Sequence, residues 1–377
     1  MSRRQRTRLS LFFILLFSVL ALIVVGQLAA ASGAAKFGDL FPDYTFHSPK
    51  ASDDRAYLGI GEGETFAIGD IHADLIVVEV LNIYCTSCQM QAPVYNEVVS
   101  LLEDDPVTKG RVKWMGVGVG NNEKEVATFK ERKHVAFPVL TDVDFKFYDA
   151  VGGPGGVRTP LTILVRKDEK RRGIVVDSHV GFRRNKEEII EGIQAALQYD
   201  LAYLKITEGE RTILPPTERL TPPLSDDELL RQVRNGMTIG NATVLEVRRI
   251  TPHGEIVYVG KILIDSGEKQ LFAKVVSRPP VCDICHDIHF IYVFDEAGEV
   301  KNFIPIHLTK AGNRLWTDED NEQMKRTLIG RSILQPFRFN REVDAVSRAT
   351  ITSVVIFDAM NRGRSTYADL KEENYID

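Results

Sequence analysis

Two pairs of cysteines, each pair separated by two residues, are the side chains of this sequence best suited to chemistry. Cys85 and Cys88 form one pair, Cys282 and Cys285 the other, and the 377 residues hold no further cysteine. A disulfide across so short a loop removes only about 2 kcal/mol of unfolded-state freedom. A structural staple is therefore the weaker explanation, and redox exchange, metal binding or haem attachment the stronger ones. Residues 75–84 (LIVVEVLNIY) run into the first pair as a continuous apolar stretch, which reads as a buried central strand. Residues 86–103 follow it and read as a helix with Val94, Val98, Leu101 and Leu102 on one face. A cysteine at that junction meets unpaired backbone N–H groups and the positive end of the helix dipole, both of which stabilise a thiolate. Cys85 is thus the expected nucleophile. Cys88, one turn further on, is the thiol placed to resolve a mixed disulfide. Glu79 is the one ionisable side chain in residues 75–83 and stands six residues before Cys85. Burial would raise its pKa and suit it to move the proton of the resolving thiol.

The second pair belongs to the string Cys282-Asp283-Ile284-Cys285-His286, with His289 three residues beyond. Three chemistries stay open for it. It matches the attachment string of a c-type haem, it resembles a compact set of soft metal ligands, and it is equally a second dithiol. The residues after it (HFIYVF) read as a strand rather than a helix, and four ligands within eight residues would strain to reach one tetrahedral centre.

The elements that must position these groups alternate along residues 36–200. Strand-like stretches at 112–118, 161–166 and 174–180 and a short apolar stretch at 137–140 are interleaved with helix-like stretches at 123–133 and 186–197, and the strands 161–166 and 174–180 are placed to pair. This alternation predicts an α/β layer fold. Residues 201–227, with Pro215-Pro216 and Pro222-Pro223 among polar residues, read as a semi-rigid linker. From 228 to 377 strands dominate, at 242–250, 256–263, 271–276, 289–294 and 300–306. Helices are expected near 318–329 and, last, near 353–360, which makes an α+β domain.

On these residues the segment 36–200 resembles the thioredoxin superfamily, in particular its extracytoplasmic TlpA/ResA and peroxiredoxin-like branches. The resemblance is carried by Phe37-Gly-Asp-Leu-Phe-Pro-Asp-Tyr at the start, by Cys88-Gln-Met-Gln-Ala-Pro93, and by Gly156-Val-Arg-Thr-Pro160 before Leu-Thr-Ile-Leu-Val. It implies a three-layer α/β fold and a cis proline at Pro160 that packs beside the redox pair and receives substrate backbone. It also implies a buried acid at the place of Glu79 and a protein thiol or disulfide as partner. Tyr84 departs from the usual Trp, Gln91 from a frequent acid, and Thr86-Ser87 from the commoner inner pairs.

Residues 298–360 resemble the FMN-binding domain of Rnf and Na+-pumping quinone reductase subunits, through Val343-Asp-Ala-Val-Ser-Arg-Ala-Thr-Ile-Thr-Ser353. The resemblance implies FMN attached by a phosphoester to Thr350, a flavin transferase as partner, and Asp344, Ser347 and Arg348 around the phosphate. Arg348 stands where the family has glycine. It either obstructs a turn that needs positive φ or offers a guanidinium to the phosphate.

Composition is globular, with 44% hydrophobic and 26% charged residues, and the net charge of −5 with no basic stripe beyond the first ten residues argues against nucleic acid. Arg3, Arg4, Arg6 and Arg8 precede an apolar run from Leu9 to about Ala31. Residues 1–35 therefore read as a signal peptide or an uncleaved membrane anchor, and either places the rest outside the cytoplasm, in a periplasm or cell envelope. The expectation is an extracytoplasmic thiol–disulfide oxidoreductase, with possible coupling to a flavin domain. The alternative is a flavin or haem electron-transfer protein whose thioredoxin-like domain serves docking or cytochrome maturation.

Overall fold

The computed structural model describes residues 37–152, 158–199 and 220–376. The expected signal or anchor segment 1–35, most of the linker and Gly156 lie outside the described residues. No described helix is long and apolar enough to cross a membrane.

The N-terminal unit opens with a small antiparallel pair, β1 (Thr45–His47) and β2 (Thr65–Ala67), around α1 (Ser52–Leu58). A five-stranded sheet follows: β3 (Leu75–Leu81), α2 (Thr86–Asp104), β4 (Val112–Val119), α3 (Glu123–Lys133), β5 (Val139–Asp142), α4 (Lys146–Gly152), β6 (Leu161–Lys167), β7 (Gly173–Val180) and α5 (Lys186–Gln198). Its order is β5-β4-β3-β6-β7. β3 pairs parallel with β4 on one side and antiparallel with β6 on the other, and β6 and β7 pair as expected. β3 is buried along its whole length, as a central strand covered on both faces must be. Its even-numbered residues Ile76, Val78 and Val80 enter one core, while Leu75, Val77 and Leu81 enter another beneath α2 and α5. Glu79 shares the parity of the second set.

Each helix has a local reason. α3 starts in a reciprocal cap: Asn122 Oδ1 accepts from Glu125 N (3.0 Å) and Glu125 Oε2 accepts from Asn122 N (2.9 Å). α2 buries Cys88, Gln91, Ala92, Tyr95, Val98, Val99 and Leu102, a stripe of helical period. Leu101, expected on that face, is 47% exposed. Val98 and Leu102 of the expected face are buried, Val94 is half-buried, and Tyr95 and Val99 complete the stripe beside them.

The C-terminal unit begins with a helix that the proline-rich composition concealed, α6 (Asp226–Met237). Ser225 caps it by accepting from Glu228 N (3.2 Å), and Leu229, Val233, Gly236 and Met237 form its buried side. Asp226 and Asp227 are thus helix rather than linker. An antiparallel sheet follows, built from β8 (Thr243–Ile250), β9 (Val257–Ile264), β10 (Gly267–Arg278), β11 (Ile288–Asp295) and β12 (Val300–His307), in the order β12-β11-β10-β9-β8. α6 covers one face. It lies so close that a Cβ on Gly260 would stand 2.2 Å from Met237 Sδ. The other face packs on α7 (Asp318–Leu328), α9 (Thr350–Asn361) and α10 (Gly363–Glu372), and the short α8 (Arg341–Asp344) precedes α9 in the chain. α10 lies beyond the last helix that the sequence suggests, near 353–360.

One core joins the units. Phe145, Tyr148 and Val119 of the first belong to the same buried cluster as Phe272, Phe290, Val354 and Phe357 of the second. Val354 closes directly on Gly120, where a Cβ would meet its Cγ1 at 2.6 Å. Phe290 is fully buried in this cluster, with its ring centroid 5.2 Å from that of Phe303. Truncating Phe290 to Ala is expected to cost about 3–5 kcal/mol, read as a lower denaturant midpoint by circular dichroism.

Candidate functional site

The turn from β3 to α2 is held by two asparagines. Asn82 Nδ2 donates to Val119 O (2.7 Å), and Asn82 Oδ1 accepts from Tyr84 N (2.9 Å). Asn121 Oδ1 accepts from Ile83 N (3.0 Å). These bonds tie the turn to the end of β4 and deliver Cys85 as the N-cap of α2, in extended conformation, with Cys88 inside the first turn. Both cysteines are buried. Gln91 bonds Arg183 on both sides of its amide, Oε1 from N (2.7 Å) and Nε2 to O (3.0 Å), and so joins α2 to the segment after β7. Tyr84 donates to Glu125 and carries the Arg341 guanidinium over its ring at 4.5 Å. The tyrosine at this position therefore seats the C-terminal unit beside the site.

The two thiols are polarised in opposite directions. Cys85 lies well below the ordinary thiol range, because Cys282 first and Cys88 second donate toward its sulfur, with the backbone N–H of Cys88 adding to them. Cys88 is pushed well above that range, by burial first and then by its contact with Cys85. Glu79 is 2% exposed, and burial, with the nearby Cys85 charge, raises its pKa to about 8. The Thr159–Pro160 bond is cis, and Cys85 Sγ lies 3.5 Å from Thr159 O. Four residues nominated from sequence, Cys85, Cys88, Glu79 and Pro160, thus meet at one end of the sheet.

The structure brings a fifth group to them that sequence reasoning did not place there. Cys282 is 2% exposed, and its sulfur, that of Cys85 and a carboxylate oxygen of Asp283 lie within 4.8 Å of one another. Cys282 is held far above the thiol range, by contact with Cys285 first and with Cys85 second. Among the described residues this trio is the group of possible metal ligands that comes together. The expected set Cys282, Cys285 and His286 does not close on one centre. His286 is exposed, and its ring lies 5.7 Å from that of His307. His289 is buried against Ser277, with Nδ1 to Oγ at 2.9 Å, and burial lowers its pKa. A haem does not fit the string either. A thioether on Cys282 would need the macrocycle where Cys85 and Thr159 stand.

The nominated flavin residues gather around the start of α9. Thr350 is its first residue and half-buried, while Ser347 and Arg348 are exposed. Arg348 takes φ 61°, the left-handed conformation that glycine adopts without steric cost. Its carbonyl accepts from Ala311 N (2.8 Å), which holds the turn. Asp344 does not face a phosphate. Its Oδ2 accepts from Asn340 N (2.7 Å) and closes α8. What fits FMN is the phosphoester end: the left-handed turn, the helix N-terminus and the exposed guanidinium.

No family model matches the chain. The thiol–disulfide oxidoreductase ResA of Geobacillus thermodenitrificans is 23% identical over 178 residues, which span 47% of this chain and 94% of that protein. Among solved structures, a thiol:disulfide interchange protein of the thioredoxin family from Chlorobium tepidum is 15% identical over 42% of this chain and 96% of its own, with TM-score 0.31. A secreted Mycobacterium tuberculosis disulfide oxidoreductase, homologous to E. coli DsbE, is 15% identical over 41% and 96%, with TM-score 0.30. These relatives are thiol–disulfide oxidoreductases. The strand order, the cysteine pair opening α2 and the proline at the start of β6 make the N-terminal unit a thioredoxin-like α/β domain, and a β-rich unit is joined to it.

Proposed function

We propose that the chain is an extracytoplasmic thiol–disulfide oxidoreductase with Cys85 as nucleophile and Cys88 as resolving thiol. The observation that carries this reading is the opposite polarisation of the two thiols over a buried carboxyl group. Cys85, as thiolate, attacks a partner disulfide. One partner sulfur leaves as thiolate and takes a proton, and the other is bound to Cys85. Cys88 then passes its proton to the Glu79 carboxylate and attacks Cys85 Sγ. The Cys85–Cys88 disulfide forms and the partner leaves reduced. A carboxyl titrating near 8 serves both directions, since it holds or accepts a proton close to neutral pH. The main chain of Thr159, before cis-Pro160, has the N–H and C=O with which an extended segment pairs beside Cys85, and residues 281–283 hold both of them in this structure.

The ResA relative supports the activity, and the basic and apolar N-terminal residues support the location. The test is redox titration of the full chain against glutathione, with the Cys85 and Cys88 peptides followed by mass spectrometry. Interconversion of dithiol and disulfide across the series is the expected result. A pair that stays in one state throughout overturns the reading.

A flavin on Thr350 is a second reading, favoured by the left-handed conformation that Arg348 adopts where the resembling family has glycine. When bound, FMN would supply one- and two-electron chemistry; Thr350 would carry its phosphate and Arg348 would neutralise it. Production with a flavin transferase is expected to add one FMN to the intact mass, and Thr350→Ala to remove it. An unmodified wild-type chain under those conditions refutes this reading alone.

A further inference from the structure

Cys85 is 0% exposed, and what covers it is the chain's own second cysteine pair. Residues 281–283 lie along the loop that ends at Pro160. Thr159 N donates to Val281 O (2.6 Å), and Asp283 N donates to Thr159 O (3.0 Å), so that Thr159 and Cys282 form an isolated parallel bridge. Thr159 Oγ1 adds a second bond to Val281 O (2.9 Å). The main chain of Thr159, the group expected to align a partner, is therefore already paired with a cysteine-bearing segment.

The rest of the loop is held as firmly. Arg158 donates to Asp283 O (3.1 Å) and approaches Asp287 (3.9 Å), and Asn313 donates to Ile284 O (2.8 Å). The Asp283 carboxylate stands between the two sulfurs, 4.0 Å from Cys85 Sγ and 3.9 Å from Cys282 Sγ. With those sulfurs within 4.8 Å, side-chain rotation is what separates them from the bonded distance of about 2.05 Å. The outer end of the pair is the more exposed one. Cys285 is half-buried and its neighbour Ile284 is 57% exposed.

We propose that residues 281–285 are a built-in redox substrate of Cys85, with Cys285 the outward thiol that exchanges with a protein partner. The inference rests on the reading of Cys85 and Cys88 as the redox centre and names the partner of that centre. In one direction the Cys85 thiolate attacks Sγ of Cys282 in a Cys282–Cys285 disulfide. The 282–285 bond breaks, the 85–282 bond forms, and Cys285 leaves as thiolate and takes a proton. Cys88, giving up its own proton, attacks Cys85 Sγ, and Cys282 leaves as thiolate and is protonated, with Asp283 beside it as the relay. Two electrons and the Cys88 proton have then moved from Cys85/Cys88 to Cys282/Cys285, and solvent supplies the second proton because Cys85 began as a thiolate. The reverse follows the same steps backwards. Because the loop seals Cys85, a folded protein partner meets Cys285 first.

The full chain carrying Cys88→Ser and Cys285→Ser, equilibrated with oxidised glutathione, tests this. Cys85 and Cys282 are expected to join in most molecules, each bond releasing two reduced glutathiones. The product is a cross-linked peptide pair whose yield is unchanged on about tenfold dilution, because the reaction is intramolecular. Cys85 and Cys282 each carrying a separate glutathione would overturn the relay. A Cys282→Ser/Cys285→Ser chain separates the two levels. If its Cys85 and Cys88 are oxidised by glutathione while no 85–282 bond forms in the first variant, the relay is wrong and the redox centre stands. If they are not, the redox centre itself is wrong. A purified wild-type chain holding about one zinc, with its thiols protected from alkylation, would make the cluster a metal site and also overturn the relay.

Discussion

Replacing Cys85 by Ser abolishes every exchange step that runs through position 85, by on the order of 10³-fold or more, because a hydroxyl there has no accessible anion at neutral pH. Replacing Cys88 by Ser has a different outcome. Cys85 keeps its thiolate, which depends on Cys282, on the backbone N–H of Cys88 and on the N-terminus of α2 as well as on the Cys88 thiol. The first half-reaction therefore proceeds and the second stops, and the chain accumulates as a mixed disulfide. Quenching with acid, alkylating and mapping the peptides reports the two variants apart: nothing beyond exchange at Cys285 for Cys85→Ser, and a Cys85 mixed disulfide, with the partner or with Cys282, for Cys88→Ser. Failure of Cys88→Ser to trap Cys85 would mean that Cys85 is not the attacking thiol.

Glu79→Gln stabilises the fold while slowing resolution. The carboxyl is buried at the centre of β3, and its pKa stands near 8 against an unfolded value of 4.5. The sign follows from which state binds the proton. Below pH 4.5 both states hold it and the group contributes nothing. As pH rises from there toward 8, the unfolded chain ionises while the folded chain still holds its proton, so stability falls. At pH 7 the loss is about 3 kcal/mol, at 1.36 kcal/mol per pH unit. Gln cannot ionise in either state. The variant should match wild type near pH 4 and exceed it by about 3 kcal/mol at pH 7, seen as a denaturant midpoint that no longer declines with pH. The same substitution removes the acceptor for the Cys88 proton. Resolution of a Cys85 mixed disulfide should slow by roughly 10²-fold or more, while the initial attack by Cys85 is spared. A parallel fall of both midpoints with pH would show that Glu79 is ionised in the folded state, and the proton-transfer role would fall with it.

The two expectations share a physical origin. β3 is apolar on both faces because it is the middle strand, so the one carboxyl in it has no water to ionise into. The cysteine pair then opens a helix at the strand's end. On the proposed mechanism, the buried acid costs stability at neutral pH and in return holds a proton where Cys88 would release one.

Much of this was legible in the sequence. The continuous apolar run of β3, the cysteine at its end and the helical period of α2 are local patterns, set by backbone geometry and solvent exclusion within a few residues. They located Cys85, Cys88 and Glu79, and the resemblance located Pro160. Local pattern failed where the signals were masked or displaced. α6 carries a Ser225 cap and a buried stripe, yet it follows a proline-rich stretch that reads as linker. Leu101 is exposed because the buried face of α2, with Val98 and Leu102 as expected, widens toward Tyr95 and Val99 and away from the leucine.

The flavin motif shows the same division. The sequence carries the string and its Arg348, but only the backbone shows that the arginine adopts φ 61° and that Asp344 is engaged by Asn340. Gln91 is another such case. Its substitution for an acid acquires a meaning only when both sides of its amide meet the main chain of Arg183.

The sequence by itself determined the chemistry of this protein's parts: two dithiols, a buried acid in a strand, and a cysteine where a helix begins. Those follow from residue type and short-range period. Only the tertiary structure decided that the two dithiols meet. Cys85 and Cys282 are separated by nearly two hundred residues, and no period or spacing connects them. They are brought together because the sheets of both units pack on one shared core, from Phe145 to Phe290 and Val354, and that packing leaves residues 281–283 against Thr159. Non-local contact of this kind is a property of the assembled core, which no window of sequence contains.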